Sequence, residues 1–151
     1  MTVVRVTKAM DVLAVWPFFA EGLSMVAKTY GVTYGELAAK KLLCKLATED
    51  AGYVAICYGD DSEPLSFCVA QEDTLPFSDF RTFTARAVYY RQGHSATILS
   101  LMGAFEQWCR ANNIKRYSVH LRRQTTAAKR CFKHEKYAFS KMGLVFEKDI
   151  Q

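Results

Sequence analysis

The chain has 151 residues, half of them apolar, and a formal charge of +5. That length sets an expectation of one domain over residues 1–151, with enough material for a real core. No run approaches the roughly 20 apolar residues of a bilayer span, and the start lacks the basic, apolar, small-residue order of a signal peptide, so the chain reads as cytoplasmic and without a membrane partner. Cys44, Cys57, Cys68, Cys109 and Cys131 are odd in number and show no CxxC or Cys/His ligand spacing; they read as reduced core residues, with no metal site.

Residues 2–6 predict a short strand. Asp11 is placed to cap a helix burying Val12, Val15, Trp16 and Phe19, and Pro17 requires that helix to begin later or to kink. Gly31 separates it from a second helix, from residue 34 to about 47, with Leu37, Leu42, Leu43 and Leu46 expected to face a core. Residues 52–58 and 65–71 read as a hairpin joined by Gly59, Asp60, Asp61 and Ser62, and a loop over residues 72–79 leads into a central strand. There Thr82, Thr84 and Arg86 alternate with Phe83, Ala85 and Ala87 before Val88, Tyr89 and Tyr90, which predicts a strand more deeply buried towards its end.

The segment 85–121 organises the rest. Ile98, Leu101, Met102, Phe105, Trp108 and Cys109 recur at three- and four-residue intervals and predict an amphipathic helix. Asn112 and Asn113 suit its end, and alternation through Tyr117, Val119 and Leu121 predicts the next strand. A helix is then expected over residues 125–141, stopped by Gly143, with a final strand over 144–150. Strand, helix, strand demands a parallel pair, so the class is α+β with a mixed central sheet flanked by helices.

The turn between the central strand and its helix aims backbone N–H groups and the positive end of a helix dipole at one point, which suits an anion. Gly93 would admit a close phosphate, and Ser95 could cap the helix or donate its hydroxyl; the plainer alternative is that Gly93 only turns the chain and Ser95 only caps. Basic residues crowd the C-terminal third: between positions 110 and 141, Arg110, Lys115, Arg116, Arg122, Arg123, Lys129, Arg130, Lys133, Lys136 and Lys141 stand against Glu135 alone. Such a run can be a solvated face, a seat for phosphates, or a contact for an acidic partner; no helix-turn-helix or other named nucleic-acid module supports nucleic acid.

The strand–turn–helix–strand unit resembles the cofactor-binding core of the GCN5-related N-acetyltransferase (GNAT) superfamily. AFEQWCRANNIKR is similar to the helix and following turn of those proteins, in particular of small acetyltransferase-like proteins of bacteriophages. FSKMGLVFEKDI resembles their closing helix, glycine turn and last strand, and VVRVTKAMD their first strand and helix entry. The resemblance implies a sheet whose parallel pair splays to open a slot for acetyl-CoA. It implies cofactor contacts from Val88, Tyr89, Arg91, Gln92, Gly93, His94, Ser95 and Ala96. The implied partner is an amine acceptor, either a small molecule or a protein, and Arg122, Arg123, Lys129 and Arg130 flank the place of the cofactor's adenosine end.

The sequence departs from the family pattern in two places. The phosphate loop there runs Arg or Gln, two residues, Gly, one residue, Gly or Ala. Counting from Arg91 puts His94 and Ala96 at the glycine positions, while anchoring on Trp108 puts Gly93 at the Arg position and Ala96 and Ile98 at the glycines. The family's general-acid tyrosine falls at Phe139, with Tyr137 about 200° around the helix. For a base, Glu72, Asp73 and His120 are the candidates, and backbone near Val88 and Tyr89 could stabilise an oxyanion. The alternative is a catalytically silent phage protein of this fold, a virion-structural or host-partner-binding module, found in the host cytoplasm or the virion.

Overall fold

The computed structural model describes residues 1–73, 77–120 and Arg130. Their elements, in order, are β1 (Thr2–Arg5), α1 (Ala9–Ala14), α2 (Trp16–Tyr30), α3 (Glu36–Thr48), β2 (Gly52–Tyr58), β3 (Pro64–Asp73), β4 (Thr82–Tyr90), α4 (Thr97–Ala111) and β5 (Arg116–Val119). These strands form one sheet in the order β1-β2-β3-β4-β5. The first three pairings are antiparallel and β4–β5 is parallel. The mixed, helix-flanked α+β sheet anticipated from the element order is therefore present. The expected closing helix and strand, with Cys131, Tyr137 and Phe139, lie outside the described residues.

Both faces of the sheet are covered. On one, Ile98, Leu101, Met102, Phe105 and Cys109 of α4 pack on Tyr53, Cys68, Phe83 and Ala85. On the other, Phe18 and Phe19 of α2 and Leu43 and Leu46 of α3 pack on Val54, Ile56, Phe67 and Val69. β2 and β3 lie between these layers, so both alternating sets of their side chains are buried, as in a central strand covered twice. α2 rides close to the sheet at Gly22: a Cβ there would sit 2.3 Å from the Phe67 ring and 2.6 Å from that of Tyr89. Cys57, Cys68 and Cys109 are buried free thiols, as read from the sequence. Burial pushes the Cys68 and Cys109 thiols up to about 12, so they act as small apolar residues.

The break that Pro17 requires is present, and two other local expectations are corrected. Pro17 falls in the first turn of α2, where its missing N–H needs no partner, and the expected single helix is divided at Val15, whose backbone is non-helical. Asp11 lies in the first turn of α1, and Lys8 holds the cap position. In α3, Leu43 and Leu46 are buried but Leu37 and Leu42 are exposed. At about 100° per residue, Leu37 and Leu42 lie some 100–120° to either side of Leu43, so the four leucines cannot share a face.

β4 departs from its expected burial in the opposite sense to that anticipated. Thr82–Ala85 are buried, Arg86 is exposed, and Val88–Tyr90 are half-buried. Val69 pairs with Ala87 and Ala70 with Ala85, leaving Arg86 as an extra residue, a β-bulge. The bulge reverses the alternation: Phe83 and Ala85 face α4 before it, Val88 and Tyr90 after it. Meanwhile β5 stops. Its last rung is Ala85–Val119, so the second half of β4 has no β5 neighbour among the described residues.

Candidate cofactor-binding site

The described parallel ladder spans only the first half of β4, and the fork is the point where that ladder ends. Its closed end is the Thr82–Arg116 to Ala85–Val119 ladder, sealed by the His120 N–H donating to the Ala85 carbonyl at 3.3 Å. From there β4 continues to Tyr90 with no strand on that side among the described residues. The Arg91 N–H donates to the Leu65 carbonyl at 2.9 Å, so Arg91, Tyr89 and Ala87 turn their backbone groups towards β3. By the two-residue period, Val88 turns its N–H and C=O to the open edge. Of the two positions expected to offer a backbone donor, Val88 thus faces the fork and Tyr89 the sheet.

The turn that follows is built from consecutive hydrogen bonds. His94 N–H donates to the Arg91 carbonyl at 3.0 Å, and Gly93 has φ +84°, the left-handed value a type II turn requires at its third position. Thr97, Ile98 and Leu99 donate to the carbonyls of His94, Ser95 and Ala96, each three residues back. The first turn of α4 is therefore tightened and its own donors are used. The unspent N–H groups move back along the chain: those of Gln92, Gly93, Ser95 and Ala96 have no partner among the described residues. They cluster where the dipole of the 15-residue α4 is positive. Ser95 makes no cap bond. Ala96 holds the cap position with helical angles, and the Thr97 hydroxyl donates to the His94 carbonyl at 2.6 Å.

The other expected cofactor residues divide between turn and frame. Gln92, Gly93, His94 and Ala96 are exposed and Ser95 half-buried. Arg91 is committed elsewhere: its guanidinium pairs with Glu21 of α2 at 3.2 Å and Glu63 of the β2–β3 turn at 2.7 Å, and lies 5.0 Å over the Phe18 ring. It fixes the base of the turn to the rest of the fold. Tyr89 packs on Phe18 and Phe67; burial, then the charge of Glu21, push its phenol above the ordinary value. Ile98, one of the residues that could fall at a glycine position, is buried in the α4 core and does not enter the turn.

The three candidate bases separate. Glu72 is on the α4 face, where it pairs with Arg81 at 2.7 Å. Arg81 also donates to the Asn112 and Asp50 carbonyls, so Glu72 belongs to a brace. Asp73 is on the opposite face, where one oxygen accepts from the Thr84 hydroxyl and the other from Arg86 at 3.1 Å. His120 is exposed, immediately after the sealing rung. Both acids lie at the end of β3, paired with the start of β4, about 25 Å of strand from the turn. Thr84, Arg86 and Ser118 were not singled out from the sequence, although writing β4 and β5 in parallel register would have placed the Thr84 and Ser118 hydroxyls side by side.

No family model matches this chain, and no curated relative does. Solved structures do match in fold. One described as a probable acetyltransferase is 17% identical, with a TM-score of 0.74 over 100% of this chain and 97% of the other. A GNAT family acetyltransferase from Staphylococcus aureus is 10% identical, with a TM-score of 0.69 over 99% of this chain and 100% of its own. A ribosomal-protein-alanine N-acetyltransferase from Brucella melitensis is 12% identical, again with a TM-score of 0.69 over 99% and 100%. Among the described residues no helix is long and apolar enough to cross a membrane. The mixed sheet, its parallel β4–β5 pair and these likenesses together give the chain the fold of the GNAT acetyltransferases.

Proposed function

We propose that the chain is an acetyl-CoA-dependent N-acetyltransferase acting on an amine acceptor, small molecule or protein. The observation that carries this reading is the set of N–H groups at Gln92, Gly93, Ser95 and Ala96 that have no partner among the described residues, at the positive end of α4 beside a strand edge that no described strand covers. The coenzyme's pyrophosphate suits those donors. From Arg91 back to Ala85 is about 20 Å of strand, along which the pantetheine arm would lie against the Val88 edge, bringing the thioester to the fork. When bound, acetyl-CoA supplies the activated acyl group; the chain supplies its orientation and a donor for the carbonyl oxygen.

A silent module of the same fold, of phage origin and serving a virion or host partner, is the second reading, and one observation favours it. In the count from Arg91, His94 stands at a glycine position, and its side chain is exposed at the turn itself. Isothermal titration of the full chain separates the two. Micromolar acetyl-CoA affinity, about 8 kcal/mol, supports the enzyme. Absence of heat at millimolar acetyl-CoA with a folded sample supports the silent module.

A further inference from the structure

Three polar side chains cross three strands at the closed end of the fork. Thr84 and Ser118 are rung partners on the face opposite α4, one rung before the ladder stops. Their hydroxyl oxygens are 3.0 Å apart. The Thr84 hydroxyl in turn donates to an oxygen of Asp73, whose other oxygen is held by Arg86, the bulge residue. Thr84 is 2% exposed, whereas the Asp73 side chain is 27% exposed. A continuous chain of exchangeable protons therefore runs from β5 beside the fork, through a buried threonine, to a carboxylate open to water. Packing alone does not demand it, since valine would fill the Thr84 position without needing two polar partners.

Resting on the acetyltransferase reading, we propose that this chain is the exit path for the proton an acceptor ammonium must lose. The ammonium at the fork gives a proton to the Ser118 oxygen as the Ser118 proton passes to Thr84 and the Thr84 proton to Asp73, which releases it to solvent. The neutral amine then forms the C–N bond to the acetyl carbon as the C–S bond to coenzyme A breaks. The second nitrogen proton ends on the departing sulfur, so one proton is released per turnover. Arg86 acts as a positioning residue that points the carboxylate at Thr84.

The test compares wild type, Asp73→Asn, Thr84→Val and Thr84→Ser. Acetyl-CoA affinity is measured by titration, and coenzyme A release with saturating n-butylamine and with polylysine is followed from pH 6.5 to 10. Asp73→Asn and Thr84→Val are expected to keep acetyl-CoA affinity within about twofold and to lower kcat about 30-fold at pH 7. The deficit should shrink as pH rises towards the amine's own pKa, where the solvent removes the proton, and Thr84→Ser should restore most of the rate. Unchanged kcat at pH 7, or a deficit equal at every pH, would overturn the path while leaving the acetyltransferase reading intact. Wild-type binding of acetyl-CoA with no release to either amine would also overturn it. Failure of wild type to bind acetyl-CoA would overturn that reading instead.

Discussion

Phe105→Ala is expected to destabilise the fold by about 3–5 kcal/mol, a large share of the 5–15 kcal/mol typical of a whole domain. Phe105 is fully buried where α4 meets the sheet. Its ring lies 4.7 Å from that of Tyr53, 5.0 Å from Tyr117, 6.1 Å from Trp108 and 6.5 Å from Phe83. Removing it strips an aromatic neighbour from β2, β4, β5 and α4 at once, and the strands around it are too constrained to close the gap. The urea midpoint should fall with little change in slope. A loss below about 1 kcal/mol would mean that α4 is not held on the sheet by this cluster.

Gly93→Asp is expected to weaken acetyl-CoA binding at least 30-fold, about 2 kcal/mol. Two effects act together. A side chain at φ +84° strains the turn, and a carboxylate among donors meant for a phosphate repels it. Gly93→Ala isolates the first effect, since nothing lies within 4 Å of the added Cβ; it should cost affinity several-fold less than the aspartate. Equal losses for both variants would assign the whole effect to backbone strain, and no loss in either would remove the turn from the site.

What the sequence makes legible depends on the range of the force involved. The α4 stripe is a local, periodic property, and Ile98, Leu101, Met102, Phe105 and Cys109 are all buried as their spacing requires. The hairpin and the parallel pair follow from turn chemistry and connection rules, and they hold too. The bulge at Arg86 is different: it is set by how β3 and β4 register across the sheet, and no spacing within ARAVYY reveals it. It reverses which residues face the open edge, which is why Val88 and Tyr89 looked equivalent in sequence and are not. The role of Arg91 was hidden for a similar reason, since Glu21 and Glu63 lie 70 and 28 residues away in the chain. Glu72 and Asp73, adjacent in sequence, point to opposite faces because a strand alternates, and only Asp73 reaches the fork.

The most direct test is residue-resolved amide mapping of the nitrogen-15-labelled chain during titration with acetyl-CoA. The largest shifts are expected at Gln92, Gly93, Ser95 and Ala96, with a second group at Val88 on the open strand edge, and little change at Glu72 or Arg81 on the α4 side. Saturable shifts confined to other surfaces, or none at millimolar acetyl-CoA, would contradict a coenzyme held by the turn and the β4 edge.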